Sequence, residues 1–148
     1  MSWDDFARYY EWEFDLLCTE QAQDVNEWLK LADEYGDPIL ELACGAGRIT
    51  LPLADQGYNI TALDSSRNML HRLNQKIKPS HKLKIVRADM RKFHLGARFR
   101  FIFISYASFQ LLLTMEDQLL CLDRIRDHLQ PGGILGLDIS TRVCEGPD

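Results

Sequence analysis

The stretch ILELACGAGRIT, Ile39 to Thr50, is an apolar run carrying an acid, followed by a loop of small residues and then by helix-forming residues. A chain that leaves a strand, turns through Ala43, Gly45, Ala46 and Gly47 and enters a helix brings bare backbone close to whatever lies above the strand ends. A larger side chain would block that approach. Small residues at such a turn also suit tight packing of a helix on a strand. The loop alone does not separate ligand contact from packing, so the rest of the chain has to.

Outward from this stretch, helical and strand periods alternate. Two helices are expected before it, the first capped by Ser2 or Asp4 and the second by Thr19. In the second, Val25, Trp28, Leu29 and Ala32 form an apolar stripe that Gly36 and Pro38 stop. PILELA reads as a buried strand and residues 47–56 as a helix closed by Gly57. NITALD is a second strand, and SSRNMLHRLNQKI a helix capped by Ser65 or Ser66, with Met69, Leu70, Leu73 and Ile77 on one face before Pro79. KLKIVRAD and RFIFIS are the third and fourth strands. Thr114 and Asp117 open a helix carrying Leu119, Leu122, Ile125 and Leu129, and PGG leads into a fifth strand, ILGLDI. This alternation predicts right-handed crossovers and a doubly wound parallel sheet covered on both faces. The link MRKFHLGA is too short for a full crossover helix and predicts an irregular or single-turn connection.

With 148 residues, nearly half of them hydrophobic, the chain fits one domain that buries about two-thirds of its unfolded surface. Cys18, Cys44, Cys121 and Cys144 are scattered without metal-ligand spacing, and the opening MSWDDFARYY is acidic rather than signal-like. Reduced thiols and a cytoplasmic location are expected. No apolar run reaches the roughly 20 residues of a membrane span. The net charge of −5 hides an asymmetry: residues 1–47 hold twelve acids and two bases, residues 67–100 eleven bases and one acid, Asp89. Solvated or complementary faces explain this without a nucleic-acid partner. His71, His81, His94 and His128 read as ordinary surface or helix histidines, and no metal is expected.

Three features strengthen the ligand reading of the glycine loop. Asp64 closes the second strand 23 residues after Glu41, where a carboxylate can accept from the two hydroxyls of a ribose. Asp89 closes the third strand in RADM, placed to accept from an exocyclic amine while the Met90 amide donates to a ring nitrogen. Met69, early in its helix, could cover one face of a flat ring. At successive strand ends along one rim, these residues describe a nucleoside site.

The set ILELACGAGRITLPLADQGYNITALDSSRNML, VRADMRKF, FIFISYASFQLL and LQPGGILGLDIS, spanning about residues 36–140, resembles the class I S-adenosylmethionine-dependent methyltransferases, in their small-molecule-type branch. The resemblance implies a Rossmann-like sheet of order 3-2-1-4-5 with amino-terminal helices. It implies S-adenosyl-L-methionine as cofactor and methyl transfer to a small-molecule acceptor. Glu41, Ala43, Cys44, Gly45 and Gly47 would hold the methionine part, Asp64 and Ser65 the ribose, and Ala88, Asp89 and Met90 the adenine covered by Met69. Ile104 and Ser105 would face the methyl end. Tyr9, Tyr10, Tyr106, Ser108 and Phe109 are the substrate-side candidates, and no catalytic residue is named. Residues 1–35 would pack over the site as a helical segment, with 36–148 as the cofactor-binding core.

Departures from the family pattern carry expectations of their own. Ala43 stands where a glycine is usual, a mild change if its backbone conformation is ordinary. Arg100 stands near the place of a common aspartate and reads as surface variation. The usual antiparallel sixth and seventh strands are absent, which suggests a truncated form or a partner chain, in the simplest case a second copy, pairing with the edge of the fifth strand. On the opposite edge strand, Lys82 and Lys84 discourage pairing. Two other functions compete. One is a cofactor-binding or interaction module without methyl transfer. The other is a nicotinamide-dependent oxidoreductase, which would want a third glycine where this chain has Thr50.

Overall fold

The computed structural model describes Asp4 and residues 18–141. The chain order is α1 (Cys18–Tyr35), β1 (Ile39–Leu42), α2 (Thr50–Asp55), β2 (Ile60–Asp64), α3 (Arg67–Asn74), β3 (Leu83–Arg87), β4 (Phe99–Ile104), a 3-10 turn (Ser108–Leu111), α4 (Met115–His128) and β5 (Leu129–Leu137). The strands form one parallel sheet in the order β3-β2-β1-β4-β5, as the alternation and the resemblance imply. Strand order reverses between β1 and β4. In open sheets of this kind, ligands bind beyond the carboxyl ends at that point.

β1 is buried throughout, and its residues alternate between two cores. Leu40 and Leu42 join Leu63, Ile102 and Ile104 under Phe93 and α4. Ile39 joins Phe101 and Phe103 beneath α1 and α2, where Trp28 stacks on Phe103 at 4.6 Å between ring centroids. On α1, Trp28 and Ala32 are buried and Val25 and Leu29 pack beside them, so the expected stripe is the one that docks. Thr19 lies inside α1 rather than capping it, and Asp4, expected as a cap of its own helix, is helical, with its carboxylate on another element.

Several boundaries differ from expectation, each for a local reason. α2 starts at Thr50 rather than 47, because Gly45 and Gly47 take φ of +55° and +91°, outside the helical region. α3 ends at Asn74 and leaves Ile77 outside, and Ser66 rather than Ser65 caps it by accepting from the Met69 amide at 3.2 Å. β3 stops at Arg87, so Asp89 lies two residues past the strand. Between β3 and β4 there are turns only, as the short link predicted. Thr114 caps α4 through the Asp117 amide, but the buried face is Cys121, Ile125 and His128; Leu119 is exposed and Leu129 belongs to β5. Leucines at 119, 120 and 122 surround this helix and mask its phase. His128 is a core residue: its Nε2 accepts from the Leu95 amide at 3.0 Å and its Nδ1 donates to the Arg124 carbonyl at 2.6 Å.

β5 begins five residues before ILGLDI and excludes Asp138 and Ile139. Its pairing with β4 jumps from Phe99 with Leu129 to Phe101 with Ile134, and PGG fills the bulge between them. Within it a Cβ on Gly133 would lie 2.9 Å from the Gln130 carbonyl oxygen. Arg100 is more than surface variation: its Nε donates to the Tyr35 carbonyl, tying the end of α1 to β4. Among the described residues, no strand follows β5 and no helix is long and apolar enough to cross a membrane.

Candidate functional site

A cleft of about 460 Å³ opens beyond the carboxyl ends of β1, β2 and β4, within the size range of small-molecule sites. The loop after β1 forms its floor. There the backbone turns sharply, with Ala43 at φ +57° and Gly45 at +55°. Ala43 is therefore not in an ordinary conformation, and the glycine usual in the family would be at ease where an alanine is strained. Ala43→Gly is expected to stabilise the fold by about 0.5–1 kcal/mol, the relief of strain exceeding the added chain entropy of glycine, in a urea titration. An unchanged or lower midpoint would mean that the loop absorbs the alanine without strain.

Asp64, at the end of β2, fastens this loop. Its Oδ2 accepts from the Gly45 amide at 2.8 Å and its Oδ1 from the Ser66 amide at 2.8 Å. Burial raises its pKa, while the amides of Ser66 and Gly45 oppose that rise. A carboxylate offers about four acceptor sites, and the amides of Ser66, Gly45 and Ser65 do not fill them all. The arrangement suits a diol.

Glu41 lies below the loop, buried, and accepts from the Thr50 hydroxyl. Burial pushes its pKa up to about 8, against the pull of Thr50 and Arg48. Beside it Cys44 is buried, its thiol pKa driven up chiefly by burial. Ser65 and Met69 line the wall next to Asp64.

On the other side, Ala88, Asp89 and Met90 line the cleft. The Asp89 carboxylate is gripped by Arg91: Oδ1 accepts from the Arg91 amide at 2.8 Å, and the guanidinium forks onto both oxygens, with Nη2 to Oδ2 at 2.7 Å. Arg91 in turn donates from Nη1 to Asp117 Oδ1 of α4 at 2.8 Å. The guanidinium holds the Asp89 pKa below the usual carboxylate range.

The β1–β4 switch point supplies Ser105, Tyr106 and Ser108. Tyr106 and Ala107 both have positive φ, +55° and +53°, and the Tyr106 amide is held by Asp138 Oδ2 at 3.0 Å. Consecutive left-handed residues without glycine mark a strained loop at the mouth of the cleft. Arg48 lies with its guanidinium carbon 5.4 Å from the Tyr106 ring centroid and donates to Asp24 of α1.

Three expected site residues do not line the cleft. Gly47 faces Leu73 of α3, where a Cβ would come within 2.4 Å of the leucine Cδ1, so packing and its positive φ explain the glycine. Ile104 is wholly buried in the core, and Phe109 is buried in the same cluster under α4. Tyr9 and Tyr10 lie outside the described residues. Arg48, Arg91, Leu112 and Asp117 line the cleft without having been expected there. For Arg91 a signal existed, since it follows RADM directly. Asp117 reaches the cleft only through the fold.

This cleft, with acids in β1, at the end of β2 and after β3, lies at the topological switch point of a Rossmann-like sheet of order 3-2-1-4-5. The methyltransferase-domain family matches residues 39–133, and the chain belongs to the class I S-adenosylmethionine-dependent methyltransferase family. Similar proteins include YqeM of Bacillus subtilis (strain 168), 29% identical over 148 residues that cover 98% of this chain and 59% of YqeM. The cypemycin N-terminal methyltransferase of a Streptomyces species is 32% identical over 70% of this chain and 42% of its own. Among solved structures, the glycopeptide N-methyltransferase MtfA complexed with S-adenosyl-L-methionine superposes with a TM-score of 0.70 at 32% identity, covering 77% of this chain and 53% of MtfA. Streptomyces venezuelae DesVI shares the fold with a TM-score of 0.78 at 21% identity, over 90% of this chain and 57% of DesVI. The chain thus spans about half the length of these relatives.

Proposed function

We propose that the cleft binds S-adenosyl-L-methionine and that the protein transfers its methyl group to a small-molecule acceptor. The observation that carries this reading is Asp64, whose carboxylate is fixed by loop amides at the end of β2, lines the cleft and keeps acceptor capacity for a ribose hydroxyl. The residues present fit the rest of such a ligand. Ala43 and Gly45 let backbone approach its amino-acid part, Glu41 provides an acid near a cationic centre, and Asp89 with the Met90 amide suits adenine beside Met69.

The cofactor supplies a methyl carbon already made electrophilic by a sulfonium, so the protein's task is positioning the acceptor in line and excluding water. Ser105, Tyr106 and Ser108, at the mouth, are the described residues suited to the acceptor side, with Tyr9 and Tyr10 from residues 1–35 as further candidates. A docked amino-terminal segment over a core of 36–148 is supported by Asp4. Its carboxylate accepts from the Ser66 hydroxyl at 2.5 Å and the Asn68 amide at 3.2 Å, at the start of α3. A nucleic-acid acceptor is not favoured by a net charge of −5. The buried free thiols of Cys44 and Cys121 agree with a cytoplasmic location. The edge of β5 offers a second copy a pairing site, which light scattering would report as a dimer.

Calorimetric titration with S-adenosylmethionine, S-adenosylhomocysteine and NADH tests the reading. Binding of the sulfur nucleosides with NADH silent is expected, and binding of NADH alone would return the oxidoreductase reading. Cofactor binding with no transfer to any amine or hydroxyl acceptor would favour a binding module.

A further inference from the structure

We infer that Arg91, braced by Asp117, is a positioning residue that orients the Asp89 carboxylate and thereby sets the selectivity of the cleft for a base bearing an exocyclic amine. This rests on the cleft being the cofactor site proposed above.

Acceptor capacity at Asp89 is limited. An ionised carboxylate offers about four lone-pair sites. At Asp89 the Arg91 amide and Nε take Oδ1 at 2.8 and 3.0 Å, and Nη2 takes Oδ2 at 2.7 Å, with Nε also within 3.1 Å of Oδ2. Three N–H donors, one of them shared between the two oxygens, thus leave the carboxylate room for one further donor. One site suits one amine N–H, and its direction is set by the fork that fills the others. A lone carboxylate on a turn could rotate to meet other donors. This one cannot rotate without breaking a planar two-point grip. Asp117 is what makes the grip rigid. Its Oδ1 holds Nη1 at 2.8 Å from the first turn of α4, whose start is itself fixed by the Thr114 hydroxyl on the Asp117 amide at 3.1 Å. The side chains of Arg91, Asp89 and Asp117 are all about one-third exposed, and all three line the cleft, so the network stands at the binding surface.

The test compares S-adenosylhomocysteine with S-inosylhomocysteine, which replaces the amine by a carbonyl oxygen, in calorimetric titrations of the chain and of Arg91→Met, Arg91→Lys and Asp117→Asn. The parent should prefer the adenosyl ligand by about tenfold or more, as expected when a charged acceptor meets a donor rather than a carbonyl. Arg91→Met should reduce that ratio severalfold or more, Asp117→Asn should reduce it less, and Arg91→Lys should fall between Arg91→Met and the parent. A merely structural role would weaken both ligands alike and leave the ratio unmoved, and that result in folded Arg91→Met overturns the inference. If Arg91→Met does not fold, an unmoved ratio in Asp117→Asn overturns it. Failure of the parent to bind either ligand would instead overturn the cofactor reading on which it rests.

Discussion

Asp64→Ala is expected to raise the dissociation constant for S-adenosylhomocysteine by about tenfold to about 150-fold. Hydrogen bonds to a charged acceptor contribute about 1.5–3 kcal/mol, and the proposed site places ribose hydroxyls on this carboxylate. The variant has a second effect on the free protein. It strips acceptors from the amides of Gly45 and Ser66, so the loop after β1 and the start of α3 lose their common anchor. Asp64→Asn does not repair this. An amide group presents one oxygen and one NH2, whereas Asp64 meets an N–H donor on each oxygen, so one contact must become donor against donor. Affinity equal to the parent's in a folded Asp64→Ala would remove Asp64 from the site and with it the main support for the ribose assignment.

Glu41→Gln should make the ligand-free protein less sensitive to pH. The Glu41 pKa is about 8 in the fold, above its ordinary value of 4.5, because burial penalises the carboxylate. Between those values the folded chain holds a proton that the unfolded chain has released. The stability tied to Glu41 is therefore complete below pH 4.5, declines by up to about 1.4 kcal/mol per pH unit as pH rises, and is fully lost above pH 8. Urea unfolding at pH 5 and pH 8.5 should show the parent losing about 3–5 kcal/mol more than Glu41→Gln across that interval. Parallel pH profiles would show that Glu41 is ionised in the free protein. A cationic ligand entering beside Glu41 would favour its carboxylate form, so binding near neutral pH should release a proton, visible as a binding heat that changes with the buffer.

The sheet was legible because its signals are local. ILEL, ITALD and FIFI are buried runs set between helical periods, and the acids at their ends fall at spacings that one rim of a parallel sheet requires. Errors came where a long-range contact overrides a local pattern. GAGR offers Gly47 as a ligand glycine, and nothing in it reveals that Leu73 fills the space a side chain would need. The face of α4 was misread because its leucines lie on both sides of Cys121, and only the sheet beneath decides which side is buried. PGG was read as the break before a strand, yet a bulge carries β5 through it. At the site, Asp64 and Met69 lie where the sequence suggested, in the wall of the cleft. The grip of Arg91 on Asp89 was partly readable, since the two are neighbours in RADMR, but the brace from Asp117 comes from 26 residues farther on.

The most direct test of the proposed site is a crystal structure of the chain with S-adenosylhomocysteine. Ribose hydroxyls are expected within hydrogen-bond distance of the Asp64 carboxylate, and the exocyclic amine on the Asp89 carboxylate with the Arg91 fork intact. A ligand bound elsewhere, or bound in the cleft with its ribose away from Asp64, would contradict it.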